Sequence, residues 1–292
     1  MELGAEVLIA VTGAAGLLGR RVVDRARRAG HDVVAVDLPA VAAVAEDRAG
    51  VRWRGADLTV LAEVRSALAG VQGVVHLAAL TGPRDAPEPE VHRTNVGTTY
   101  NVLLAAEEHG IGPVCTASSV NAIGGVYSRR PRFDYFPLDE GHPSYCEDAY
   151  SLSKWIGEQQ SAAFARRRPD AVFAALRFHE LREDLPPGFR ERDEIPEDGW
   201  RDLWGWTLLD SAATACLLAL HRTTPGHAAY YVVAPTTVCA VPSEELAARF
   251  FPGVELRAPL PGSAGFYRTE LALAELGWDA HDEHPAISPA ER

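Results

Sequence analysis

The chain has 292 residues, with 28 basic against 40 acidic side chains, a formal charge of -12 and 47% hydrophobic residues. That is enough apolar material for a packed core, and it excludes a disordered chain. The negative balance argues against a nucleic-acid or anionic-membrane partner, because both need a positive field to gather phosphates.

No apolar run reaches the ~20 residues of a membrane span, and no signal-peptide pattern opens the chain, so a cytoplasmic protein is expected. Cys115, Cys146, Cys216 and Cys239 lie far apart without CxxC spacing. They are expected to be buried thiols, neither a disulfide framework nor zinc ligands.

The first predicted unit is a β-branched strand at 7–11, a glycine-rich turn at 12–19 and an Arg/Ala-rich helix to about Ala29. Strand, glycine turn and helix make the context of a phosphate-binding loop. Gly13 allows the tight turn, Gly16 lets backbone N–H groups approach a pyrophosphate, and Gly19 lets helix and strand pack closely. The next strand, 33–36, ends at Asp37, about where an acidic residue meets an adenosine ribose. A carboxylate there favours NAD, while Arg20 and Arg21 lie near enough to leave NADP use open.

Strands follow near 51–54, 73–77, 113–117 and 171–177, with helices near 60–69 and 91–109 between them. This alternation predicts a doubly wound parallel α/β sheet of Rossmann type over residues 1–178. From about Phe178 the texture turns Pro-rich, charged and aromatic, which predicts a smaller interleaved substrate-binding cap over 179–292. A helix near 208–221 and a strand near 230–233 place about 206–235 back in the core sheet. Ligands of such sheets lie outside the strand C-termini, so the cap is expected to close over Ser119 and Tyr150.

Lys154 is the only lysine among 28 Lys and Arg residues. Arg replaces Lys almost freely on a surface but not in a tight polar pocket, which marks Lys154 for chemistry. It follows Tyr150 at i+4, placing ammonium and phenol on one helix face. A neighbouring ammonium stabilises phenolate, which makes Tyr150 a general acid or base.

Taken together, TGAAGLLG at 12–19, Asp37, Asp57-Leu58, HLAA at 76–79, NVGTTYNVL at 95–103, Ser119 and Tyr150xxxLys154 resemble the extended short-chain dehydrogenase/reductases. The resemblance is strong over roughly the first 180 residues. It implies a Ser-Tyr-Lys site: Tyr150 exchanges the proton, Lys154 binds the nicotinamide ribose, and Ser119 hydrogen-bonds the substrate oxygen. Ser119 is preferred to Ser118 because it sits four residues before Ile123, where many relatives carry a tyrosine. Ser118 is expected to bond backbone.

The resemblance further implies that Gly13, Gly16, Leu17 and Leu18 contact the pyrophosphate, Asp37 the ribose, and Asp57 with Leu58 the adenine. Leu77, Ala78 and Ala79 would line the cleft, and Asn95 would either face the cofactor or tie strands together through its amide. Thr81 and Asn121 are substrate-side candidates, and His76 is expected to be a packing histidine. A homodimer is expected through the helices beginning near Val91 and Tyr150, with Trp155 and Phe164 either in that contact or against the sheet.

The departures are informative too. Glu180 stands where nucleotide-sugar relatives carry an Asn, and a carboxylate there would repel a diphosphate. Val120-Asn121 replace the acid pair of dehydratases. The cluster Trp200, Trp204, Trp206 with Phe189 would stack on a ring or, preferably, form a cap core or a subunit contact. Arg182, Arg190 and Arg192 would hold a carboxylate or pair with neighbouring acids.

The stretch SSVNAIGG is similar to hexuronate dehydrogenases. The expected function is therefore an NAD-dependent oxidoreductase acting on a secondary alcohol or ketone of a sugar, uronic acid, lactone or cyclic natural product. A redox-neutral epimerase with tightly held NAD is the alternative, and a catalytically silent nucleotide sensor is the third reading.

Overall fold

The computed structural model describes residues 7–82, 86–183, 195 and 198–281. In chain order it runs β1 (Leu8–Thr12), α1 (Leu17–Arg28), β2 (Asp32–Asp37), α2 (Pro39–Ala42), β3 (Val51–Gly55), α3 (Leu61–Ala67) and β4 (Gly73–His76). Then come α4 (Glu88–Glu108), β5 (Pro113–Ser119), β6 (Tyr135–Phe136), α5 (Ala149–Arg167), β7 (Val172–Phe178) and β8 (Leu181–Arg182). The chain continues through β9 (Thr207–Leu208), α6 (Leu209–Leu220), β10 (Gly226–Val232), α7 (Ser243–Phe250), β11 (Glu255–Leu256) and α8 (Glu270–Leu276).

Seven of these strands form one sheet in the order β10-β7-β5-β4-β1-β2-β3, every pair parallel. Parallel strands need covering on both faces, and the helices divide accordingly. On one side α1, α6 and α8 pack over Ile9, Val11, Val75, Leu176 and Tyr230; on the other α3, α4 and α5 pack over Ala10, Val34, Val74, Val114 and Phe173. This is the doubly wound Rossmann arrangement expected from the alternation of elements.

Local sequence explains the layers. α1 buries Leu18, Gly19, Val22, Val23 and Ala26 and turns its arginines outward, an amphipathic face at helical spacing. α6 is buried at every position except Asp210, because it lies between the sheet and both α1 and α8; its Ala, Ser, Thr and Cys residues allow that close approach. β10 begins at Gly226, earlier than expected, because its first four residues are small or polar and only half-buried. The four cysteines are free thiols, three of them buried.

Sheet order reverses around β1, with β4 on one side and β2 on the other. The backbone is tightest there: a Cβ built on Gly13, whose φ is +66°, would lie 2.9 Å from the Ala78 nitrogen. A third core gathers Phe133, Phe136, Leu138, Trp204, Leu246, Leu260 and Phe266 beyond the strand C-termini.

Candidate active site

The glycine loop bends where the carbon-free side of Gly13 meets the loop after β4. Gly19 is equally constrained, since its Cβ would fall 2.1 Å from the Gly13 carbonyl oxygen. Gly16 is the N-cap of α1, and neither a capping side chain nor a first-turn acid occupies the helix start. Leu18 is buried against the sheet while Leu17 is 54% exposed at the mouth of the loop. Uncapped N–H groups and the positive end of the helix suit a phosphate.

Asp37 is joined to this loop. Its carboxylate accepts the Ala15 N–H at 2.9 Å through Oδ2 and the Leu38 N–H at 2.9 Å through Oδ1. Arg20 donates to the Ala15 carbonyl, and Arg21 pairs with Glu183 and Asp210. Asp57 and Leu58 stand further along, after β3. Asp57 accepts both N–H and hydroxyl of Thr59, and the Leu58 carbonyl accepts Nδ2 of Asn101 at 2.9 Å.

Thr12, which the sequence reading did not single out, organises the next part. Its hydroxyl accepts the N–H groups of Leu77 and Ala78 and lies 2.7 Å from Nδ1 of His76. His76 is buried beneath the loop, and burial, with the charge of Lys154, pushes its pKa down to about 3. It is a neutral packing histidine.

Asn95 accepts the Leu80 N–H at 2.9 Å and donates to the Leu80 carbonyl at 3.0 Å and to the Ser153 hydroxyl at 3.1 Å. Its amide therefore ties the loop after β4 to helix α5, one residue before Lys154, and not two strands to each other. Thr81 is exposed on that same loop.

Asp148 caps α5, its Oδ1 accepting the Ser151 N–H at 2.9 Å, and this fixes the helix start one turn ahead of Lys154. The Lys154 ammonium donates to the Ala117 carbonyl at 2.8 Å and lies 5.6 Å from the centre of the Tyr150 ring. Burial pulls its pKa down to about 8. A small cavity beside it is lined by Ala79, Asn95, Ser118, Ser153 and Glu158.

Ser119 ends β5, and its Oγ accepts the Asn121 N–H at 3.1 Å, so its own proton is available to a substrate oxygen. Asn121 Oδ1 in turn accepts the Val126 N–H at 3.1 Å.

Ser118 departs from the backbone bond expected of it. Its hydroxyl donates to Glu158 at 2.6 Å, and Glu158 also takes both arms of the Arg177 fork at 2.9 and 2.8 Å. Arg177 and Glu158 are both buried. Nothing in the Ser118 sequence context signals a carboxylate 40 residues away on α5.

Two of the cap tryptophans are core residues. Trp204 is 1% exposed among Phe250, Phe251 and Phe266 in the third core, and the buried Trp206 indole donates to the Thr236 carbonyl. Trp200 lies under the Arg201 guanidinium. Glu180 pairs with Arg182 at 2.5 Å. Phe164 belongs to the sheet-facing core, whereas Trp155 is 36% exposed. Phe189, Arg190 and Arg192 lie outside the described residues.

Known proteins are similar to this chain. A Methanocaldococcus jannaschii protein named "Putative UDP-glucose 4-epimerase" is 29% identical over 162 residues, 54% of this chain and 51% of the relative. L-arabinose 1-dehydrogenase (NAD(P)(+)) of Haloferax volcanii is 32% identical over 166 residues, 54% of this chain and 61% of the relative. The chain thus spans about half the length of the curated relatives it matches.

Among solved structures, MoeE5 in complex with UDP-glucuronic acid and NAD superposes with a TM-score of 0.68 at 26% identity, covering 94% of each chain. The profile of the NAD-dependent epimerase/dehydratase family matches residues 9–181. Since that stretch is more than half of the chain and runs from β1 to the first residue of β8, the protein is an enzyme of the NAD-dependent epimerase/dehydratase family.

Proposed function

We propose that the protein is an NAD-dependent oxidoreductase that interconverts a secondary alcohol and a ketone, or a lactol and its lactone. Its substrate would be a small cyclic molecule of the sugar, uronic-acid or natural-product class. The observation that carries this reading is the placement of the single lysine, whose ammonium is fixed by Ala117 and held 5.6 Å from the Tyr150 ring.

NAD is the cofactor of the family, and the residues present fit it. Gly13, Gly16, Leu17, Leu18 and Gly19 would hold the pyrophosphate, Asp37 the adenosine ribose, and Asp57 with Leu58 the adenine. Leu77, Ala78, Ala79 and, through the loop it anchors, Asn95 would line the cleft, with Thr81 and Asn121 toward the substrate. When bound, NAD supplies the hydride acceptor.

The chain's own residues handle the proton. Tyr150 takes the hydroxyl proton of the alcohol as its C–H bond is broken, and returns it in the reverse direction. Lys154 stabilises the phenolate that accepts this proton. Ser119 donates its hydroxyl proton to the same substrate oxygen, holding it in line with Tyr150.

A second reading, a redox-neutral sugar epimerase with tightly bound NAD, draws support from the likeness to the M. jannaschii protein and to a UDP-sugar complex. One experiment separates the two. Freshly purified protein is denatured and its supernatant assayed for nicotinamide nucleotide: near-stoichiometric NAD favours the epimerase, and an empty protein that binds added NADH favours the dehydrogenase. Turnover of sugars, uronic acids and cyclic ketones is then followed by nicotinamide absorbance. Tyr150→Phe should abolish it while NADH binding persists, and unchanged turnover in that variant would overturn the mechanism.

The homodimer implied by the family resemblance would use the outer faces of α4 and α5, where Tyr100 and Trp155 are 43% and 36% exposed. Sedimentation of the protein and of Trp155→Glu tests it.

A further inference from the structure

Among the described residues, two groups are set against the ring of Tyr150. One is the Lys154 ammonium; the other is Tyr127, whose ring meets it edge to face, with centroids 5.8 Å apart and planes at 89°. Tyr127 reaches across to the loop after β4 as well, since a Cβ on Gly82 would lie 3.1 Å from the Tyr127 hydroxyl oxygen. The residue therefore spans the opening between that loop and the first turn of α5, at the C-terminal ends of the strands, where ligands of such sheets bind. It is half-buried.

The segment that carries Tyr127 is held from several directions. Gly124 adopts a φ of +90°, and its N–H is bound by the Asn121 carbonyl at 2.8 Å. The Val126 N–H is taken by Asn121 Oδ1, and Gly125 and Ser128 bond to each other in both directions. From the cap, Arg201 donates to the Ser128 carbonyl at 2.7 Å. An aromatic ring fixed in this way costs little further entropy when a ligand settles against it.

We propose that Tyr127 is a specificity-determining residue, an aromatic wall that receives the C–H face of a ring-shaped substrate and so selects cyclic over open-chain alcohols and ketones. The proposal rests on the oxidoreductase reading above and names the feature of the substrate which that site selects. Asn121 then acts as a positioning residue: its carbonyl oxygens fix the backbone from which Tyr127 projects.

Tyr127→Ala and Tyr127→Phe are compared with the unaltered protein on aldopyranoses, pyranuronic acids and cyclic ketones against acyclic polyols and ketones, with NADH affinity measured separately. For Tyr127→Ala, kcat/KM on ring substrates should fall about fivefold or more through KM, with acyclic substrates and NADH binding within about twofold. Tyr127→Phe, which keeps the wall, should stay within about twofold on all. Equal losses on cyclic and acyclic substrates, a fall in kcat alone, or weakened NADH binding would overturn the proposal, because each marks a role in placing Tyr150 or in the fold.

Binding of a cyclic polyol to the NADH complex, followed by saturation-transfer NMR, reads the wall without turnover. The ring C–H signals should be lost in Tyr127→Ala and kept in Tyr150→Phe; no such signals in the unaltered protein would overturn the wall. A failure of the catalytic reading shows instead as unimpaired turnover in Tyr150→Phe, so the two failures are distinct.

Discussion

The ammonium of Lys154 and the carbonyl of Ala117 are 2.8 Å apart, which joins the second turn of α5 to β5 two residues before Ser119. The bond sets the height of the ammonium beside Tyr150, and Arg, with its longer planar head, cannot reproduce it. Lys154→Arg should therefore lose about a hundredfold or more in kcat/KM, a loss on the scale of general acid–base catalysis.

The same burial predicts an opposite effect on stability. The folded-state pKa of Lys154, about 8, lies below its usual 10.5, so the unfolded chain holds this proton more tightly between those values. Stability from this group is complete above 10.5 and is lost as pH falls through 8. At neutral pH, Lys154→Met should raise the melting temperature of the cofactor-free protein by a few degrees while turnover disappears. A lower melting temperature would show that the Ala117 bond outweighs the cost of burying the charge.

Asp37 holds the Ala15 and Leu38 N–H groups, and on the cofactor placement proposed above its negative charge would face an adenosine 2′-phosphate. Asp37→Asn keeps an acceptor for a loop N–H and removes the charge. The ratio of kcat/KM for NADP over NAD should rise about tenfold, the size of one electrostatic interaction of about 1.4 kcal/mol. An unchanged ratio would place the discrimination elsewhere.

The buried fork of Arg177 on Glu158 links β7 to α5 beside the C-terminal end of β5. Removing one partner of a buried ion pair strands the other, at a cost of about 3–5 kcal/mol. Glu158→Ala should therefore unfold far more readily than Ser118→Ala, which loses a single hydroxyl donor. Replacing both Glu158 and Arg177 with apolar residues should recover part of the loss, and chemical denaturation of the unaltered protein, the Glu158 and Arg177 single variants and the double variant would measure the coupling.

These pairs mark where sequence reading stops. Strand and helix order was legible because burial on both faces gives β1 and β7 runs of apolar residues and gives α1 its helical period. Gly13, Asp37, Tyr150 and Lys154 were legible because loop geometry and i, i+4 spacing are local. The Ser118–Glu158–Arg177 group and the Thr12 hub were not, because each joins elements far apart in sequence that only the sheet order brings together.

Trp204 was ambiguous for a related reason. Nothing in WRDLWGW shows that Leu203 and Trp204 take positive φ values of 58° and 50°, a rare conformation for bulky residues. The turn is held by the Trp204 N–H on the Gly199 carbonyl and Asp202 Oδ1, and by packing of the indole where a Gly199 Cβ would lie 2.2 Å away. Gly199→Ala should consequently destabilise the cap by about 1–3 kcal/mol, the usual cost of overpacking, with the indole fluorescence shifting as the ring is displaced.

Acid sensitivity follows from two buried histidines. His76, against Thr12, is pushed down to about 3, and His179, whose Nε2 lies 2.8 Å from the Asp202 carbonyl, down to about 4, in both cases chiefly by burial. Each therefore stays neutral in the fold while the unfolded chain takes up a proton below about 6.5. The stability this gives is complete above pH 6.5 and drains away as pH falls toward 4 and then 3, at about 1.4 kcal/mol per pH unit for each histidine. Denaturant midpoints measured from pH 7 to 4.5 should fall steeply over that window. His76→Gln, which carries no titrating ring, should reduce the slope by about 1.4 kcal/mol per pH unit even though it lowers stability at pH 7. An unaltered slope would mean that His76 takes up its proton as readily in the fold as in the unfolded chain, its Nδ1–H then donating to the Thr12 hydroxyl.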